Sequence, residues 1–136
     1  MSMWIYQLNQ ENWSPEIFRY EIWEQQRWSW PYGKKVGDDN PAPGDTLVFF
    51  YAPRGGNEPG IYGWAVIERW DGESKTVYFI PATPTDYLKM DPWWDEDAKK
   101  ILNEIRGRMK QATLFLVPKD KVFAIRHGIK KSLHFA

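Results

Sequence analysis

The chain has 136 residues, 18 basic and 18 acidic side chains that cancel to a formal net charge of zero, and 9 Trp, 7 Tyr and 7 Phe that make 17% of it aromatic. That length fits one domain spanning residues 1–136, and a charged share of only 26% beside so many aromatics excludes gross disorder. The absence of cysteine excludes a disulfide frame, a cysteine zinc site and a thiol nucleophile, and no apolar run approaches the roughly 20 residues of a membrane helix.

The opening, MSMWIYQLNQ, has no basic stretch followed by an apolar one, so no secretory signal is expected and a cytoplasmic location is. Met3–Leu8 is apolar and β-prone, which predicts a first strand. Ser14-Pro15 predicts a helix start, since serine caps free N–H groups and proline is tolerated at the first helical position; that helix runs to about Gln26. The Gly, Pro, Asn and Asp content of Gly37–Gly44 and Pro53–Gly60 predicts loops. Between and after them, Thr46–Ala52, Ile61–Glu68 and Thr76–Pro81 read as strands, with Asp71-Gly72 as a turn. Asp91-Pro92 repeats the cap-plus-proline signal and opens a helix to about Lys110, with Trp94, Ala98, Ile101, Leu102, Ile105 and Met109 on one stripe. Thr113–Val117 and Val122–Arg126 read as the last strands. Five or six short strands with two helices predict an α+β domain: a small, curved, mostly antiparallel sheet or barrel flanked by helices.

The zero net charge is a sum of unlike halves. Residues 1–71 hold 6 basic and 10 acidic residues, while residues 72–136 hold 12 and 8. From Lys99 onward, 10 basic residues face only Glu104 and Asp120. Such a surface suits a polyanion or an acidic partner; a solvated helix and tail is the plainer reading.

Motifs for dedicated catalysis are not found. There is no phosphate-binding glycine loop followed by Lys-Ser/Thr, no G-x-S-x-G elbow and no H-E-x-x-H. The two histidines, His127 and His134, need carboxylate help to hold a metal, so no metal site and no cofactor are expected. The acids at Asp38-Asp39 lie in a loop, and Asp95-Glu96-Asp97 open a helix whose dipole favours them. A non-enzymatic protein is the expectation.

Several aromatics are explained by the fold alone. Phe49, Phe79, Phe115 and Phe123 sit in strand patterns, and Trp94 on a helix stripe. The segment WEQQRWSWPYG, Trp23–Gly33, differs. Trp28, Trp30 and Tyr32 alternate, and Pro31 and Gly33 interrupt regular structure. Such a loop either folds over the core or presents ring faces to a ligand. Ring faces stack on planar bases or cage a methylated cation. Lys34 and Lys35 follow and can meet a phosphate.

The first half of the chain carries a resemblance. Trp4-Ile5-Tyr6, the Trp28 loop, Gly44-Asp45 followed by Val48-Phe49-Phe50-Tyr51, and Pro59-Gly60-Ile61 with Gly63, Ala65 and Val66 occur in one order over residues 3–70. In these motifs the chain resembles the EVE family, relatives of the PUA and YTH domains. The resemblance implies a PUA-like barrel with an aromatic-walled pocket for a modified nucleobase in DNA or RNA. It carries Trp28 over as the loop tryptophan. Tyr6, Gln7, Ser29, Trp30, Tyr32, Asn57 and Trp64 are then candidates for the base pocket. Lys34, Lys35, Arg54, Lys99, Lys100, Arg106, Arg108 and Lys110 are candidates for phosphates. The implied partner is a nucleic acid with a modified or flipped base, without a membrane, and with a larger nucleic-acid-processing or defence complex as its setting. Two other readings stand beside it: a small-molecule or methylated-cation module using the same pocket, and a nucleoside- or nucleotide-processing enzyme.

Overall fold

A computed structural model describes residues 1–8, 14–29, 35–36, 39–51, 60–82, 88–89, 100 and 114–135. Along the chain these form β1 (Met3–Leu8), α1 (Pro15–Phe18) running into a π-helical turn (Arg19–Trp23), β2 (Arg27–Ser29), β3 (Lys35–Val36) and β4 (Thr46–Tyr51). They continue as β5 (Gly60–Asp71), β6 (Thr76–Pro81), β7 (Leu88–Lys89), β8 (Leu114–Leu116) and α2 (Lys119–Phe135). The eight strands make one mixed sheet in the order β2-β6-β5-β4-β1-β8-β3, with β7 paired to β5. β1 and β4 run parallel, as do β3 and β8; the other pairings are antiparallel. The class is α+β. Among the described residues the sheet is an open path, since β2 and β3 at its two ends pair with β6 and β8 and not with each other.

Side chains alternate along each strand, and here both faces of the central strands are buried. Trp4, Tyr6, Leu47, Phe49, Ile67 and Phe79 share one face and pack with Phe18, Ile22 and Trp23 from α1 and its π turn. Met3, Ile5, Val48, Phe50 and Phe115 alternate onto the other face and are equally buried. Phe49 is the hub of the first face. Its ring meets Phe18 edge-on at 4.9 Å, Phe79 at 5.1 Å, Trp23 at 6.0 Å and Tyr6 at 6.0 Å between centroids. Its register partner on β5 is Gly63, and the register shifts immediately after it.

The helix starts as expected. The Ser14 hydroxyl accepts from the Ile17 N–H at 3.2 Å. It then widens, with the Glu24 N–H donating to the Arg19 carbonyl five residues back at 2.9 Å. The wider turn buries the adjacent Ile22 and Trp23 together. Gln26, at φ 58°, then bends the chain into β2, where its carbonyl accepts the Phe79 N–H.

One expected strand is corrected. Val122–Arg126 lies inside α2. A four-residue apolar run does not distinguish strand from helix by periodicity alone. Here Pro118 ends the strand pairing, Asp120 favours the first turn of a helix, and the buried Ile125 and Gly128 stand three residues apart on a helical face. Phe123, expected in a strand core, is 78% exposed and stacks on His127. The helix expected over residues 91–110 lies outside the described residues, apart from Lys100, which is helical and exposed.

The buried Asp45 carboxylate ties the start of the chain to β4 and β5. It accepts from the Ser2 and Ala42 backbone N–H groups and the Trp4 indole N–H, each at 3.0 Å. The Asp45 carbonyl accepts the Ile67 N–H at 2.8 Å. Removing the carboxylate strands three donors, two of them backbone. Asp45→Ala should therefore cost about 2–4 kcal/mol in urea unfolding, and Trp4→Phe, which deletes a single donor, clearly less. An unchanged urea midpoint for Asp45→Ala would show that the network carries no net stability.

Candidate functional site

Where β2 meets β6, the π turn overhangs the sheet end and leaves an open cleft of about 400 Å³. Glu21 and Gln25 line it from the helical side, Arg27 and Trp28 from β2, and Thr76 and Tyr78 from β6. Its volume falls in the range of small-ligand sites. Trp28 is half-buried, one part packed on the core and the other lining the cleft. Tyr78 is half-buried, and the Arg69 guanidinium lies 3.7 Å above its ring centre.

Tyr6 sits beneath Trp28. Burial pushes its hydroxyl far above the usual tyrosine range, and the nearby Trp28 indole N–H acts in the opposite direction. Tyr6 supports Trp28 from the core rather than lining the cleft, whose polarity comes from a carboxylate, an amide, a hydroxyl and a guanidinium.

The expected pocket residues divide between two faces of the sheet. Tyr6 and Trp28 come together on the α1 face. Gln7 follows Tyr6 on a regular strand and so belongs to the opposite face. Trp64 pairs with Val48 and is on that opposite face as well. Tyr6, Gln7 and Trp64 therefore do not share one wall, because alternation separates them. Ser29 is on β2 opposite Thr76, and Lys35 is on β3 at the far end of the sheet. Trp30, Tyr32, Lys34, Arg54, Asn57, Lys99, Arg106, Arg108 and Lys110 lie outside the described residues.

Five cleft residues were not singled out from sequence: Glu21, Gln25, Arg27, Thr76 and Tyr78. Two of them were within reach. Gln25 and Arg27 belong to the same WEQQRWSW segment that drew attention to Trp28. Tyr78 stands between the buried Val77 and Phe79, on the outward phase of a strand. No group of His, Asp or Glu able to hold a metal ion occurs among the described residues, and no helix there is long and apolar enough to cross a membrane.

No protein-family model matches the chain, and no curated protein does. Solved structures do. A hypothetical protein from Leishmania major is similar with a TM-score of 0.54 at 14% identity, over 96% of both chains. A structural-genomics protein from Agrobacterium tumefaciens is similar with a TM-score of 0.51 at 15% identity, over 94% of this chain and 93% of that one. At such identities the likeness is one of fold.

The Tyr6 environment has a measurable sign. The fold holds the Tyr6 proton more tightly than the unfolded chain, whose tyrosines ionise near pH 10. This contribution is complete below pH 10 and erodes above it. Between about pH 10 and 12 the protein should lose roughly 1.4 kcal/mol of stability per pH unit from this group alone. Tyr6→Phe should show a correspondingly flatter decline in urea midpoint; parallel profiles would contradict the assigned environment.

Proposed function

We propose that this chain is a non-enzymatic nucleic-acid-binding module of the EVE, PUA-like kind, which takes one modified nucleobase into the cleft beside Trp28. The carrying observation is the combination of that cleft's walls and rim. Trp28 and Tyr78 project to opposite faces of the β2–β6 sheet edge, and both border a space of about 400 Å³ together with Gln25, Glu21 and Thr76. A flat π surface holds a base by stacking, worth about 1–3 kcal/mol per base. The Gln25 amide can both donate and accept along a base edge, and the Glu21 carboxylate can accept from an exocyclic amine. These rim groups take the edge-reading role that the sequence alone suggests for Gln7. An open, single-stranded or flipped nucleotide is required, because a paired base is not accessible to a cleft of this shape. A cytoplasmic setting within a larger nucleic-acid-processing or defence complex belongs to the same proposal.

A second reading has one observation in its favour. Glu21 lines the same cleft as Trp28, and a carboxylate with an aromatic face is also how a methylated cation is held. Glu21→Gln separates the two: it abolishes binding of a tetra-alkylammonium ligand and leaves stacking of a neutral base largely intact.

Titration calorimetry and tryptophan emission with plain and N-methylated nucleosides, then with short single strands carrying them, test the reading. At least one base should bind, and Trp28→Leu should weaken it by about 5- to 150-fold, the stacking range. Tyr78→Ser should weaken it in the same direction, with thermal unfolding confirming that both variants fold. No binding of any base or strand at low salt would sink the proposal.

A further inference from the structure

The outer side of the cleft carries a row of three side chains across three strands. Arg27 on β2 pairs with Tyr78 on β6, and Tyr78 pairs with Arg69 on β5. Directly paired residues project on the same side of a sheet. The two arginines therefore flank the tyrosine, with α-carbons about 10 Å apart at two strand spacings. Both arginines are exposed, and among the described residues no carboxylate lies within ion-pair distance of either.

The placement of Arg69 depends on an irregularity. In a regular strand residues 67 and 69 face the same way, and Ile67 is in the core. The register shifts between Ile67 and Arg69, so that Ile67 pairs with Phe79 and Arg69 with Tyr78. This bulge turns Arg69 outward and sets its guanidinium on the Tyr78 ring at 3.7 Å. Bulges re-aim side chains in this way beside functional sites. Asp71, two residues on, acts on Arg69 through space and not by contact: its Oδ1 accepts from the Glu73 and Ser74 N–H groups of the following turn, at 3.1 and 3.4 Å.

We propose that Arg27, Tyr78 and Arg69 form the strand-contact ladder of a single-stranded nucleic acid, with the two guanidinium groups each holding one phosphate and Tyr78 between them. Arg27 also lines the cleft, so a nucleotide whose base enters there brings its phosphate to Arg27 first. Arg69 lies one strand beyond Tyr78 and takes the next phosphate. The fork of a guanidinium suits phosphate oxygens, and Tyr78 keeps Arg69 extended over the sheet rather than free in solvent. The ladder rests on the reading of the cleft as a base site and deepens it: it assigns the phosphate role to the β2–β6–β5 surface.

The test is the salt dependence of binding of mixed-sequence 12-nucleotide single strands, one of DNA and one of RNA, by fluorescence anisotropy. Each phosphate contact on a single strand contributes about 0.7 to the slope of log K against log[salt]. Arg27→Gln with Arg69→Gln should reduce that slope by about 1.4, and the double lysine variant should retain it. Thermal unfolding of both variants should match the parent, as both positions are exposed. An unchanged slope in the double glutamine variant overturns the ladder, and failure of both strands to bind at low salt overturns the ladder and the cleft reading together. If Trp28→Leu leaves strand binding and its slope intact while the double glutamine variant loses the slope, the ladder stands and base reading in the cleft falls. If free nucleosides bind in the cleft but the strand slope ignores both arginines, the cleft stands and the ladder falls.

Discussion

The packing of Phe49 is the constraint on which the rest of the fold depends. Its ring touches residues from β1, α1, the π turn and β6, elements separated by most of the described chain. A fully buried aromatic side chain is worth several kcal/mol, and four of the surrounding groups are themselves aromatic, so tilted and edge-on contacts add to simple area burial. The parallel pairing of β1 with β4 follows from this. It requires a crossover between Leu8 and Thr46, which also supplies β2 and β3 to the sheet, and α1 packs Phe18, and the π turn Trp23, against Phe49. Asp45 then closes the same corner with polar contacts, since the residue that precedes β4 also holds Ser2 and the Trp4 indole.

The cleft is a consequence of that packing rather than a separate feature. With Ile22 and Trp23 both committed to the core, the polar residues on either side of them stay at the surface, and Glu21 and Gln25 reach the cleft. π turns occur often at functional sites. The left-handed Gln26 then lays β2 on β6 and fixes Arg27 opposite Tyr78. Three departures from regular backbone therefore converge on one end of the sheet: the π turn, the positive φ of Gln26 and the β5 bulge. Each departure carries an energetic cost, and a core alone gives no reason for all three to meet where an open, polar-rimmed space lies.

Elements were legible in the sequence where a local rule decides them. Ser14-Pro15 marked a helix start because the cap is made by the neighbouring residues themselves, and the strands around Phe49 and Phe79 showed as apolar runs between turn residues. Val122–Arg126 was not legible, because its burial is decided by Ile125 and Gly128 on a helix that continues well beyond the window. The site was legible in part for the same reason. Trp28 stood out by composition, whereas Arg69 depends on a bulge and Tyr78 on a register with two other strands, and neither quantity is encoded within a few residues of them. Alternation, which is legible, would already have separated Tyr6 from Gln7 onto opposite faces.

Charge shows how far whole-chain sums mislead about a site. The chain is neutral overall and its first half is acidic, yet the two unpaired guanidinium groups on the described sheet face belong to that acidic half. The basic excess of the second half indicates only that a polyanion is tolerated there. Under the proposed reading, selection is local: the carboxylate of Glu21 and the guanidinium of Arg27 both line the cleft beside Trp28. A ligand that satisfies both must bring a hydrogen-bond donor or positive charge to one side and an anion to the other, with a flat apolar body between. A nucleotide with an exocyclic amine has that distribution, and a bare phosphate or a simple hydrophobic ligand does not.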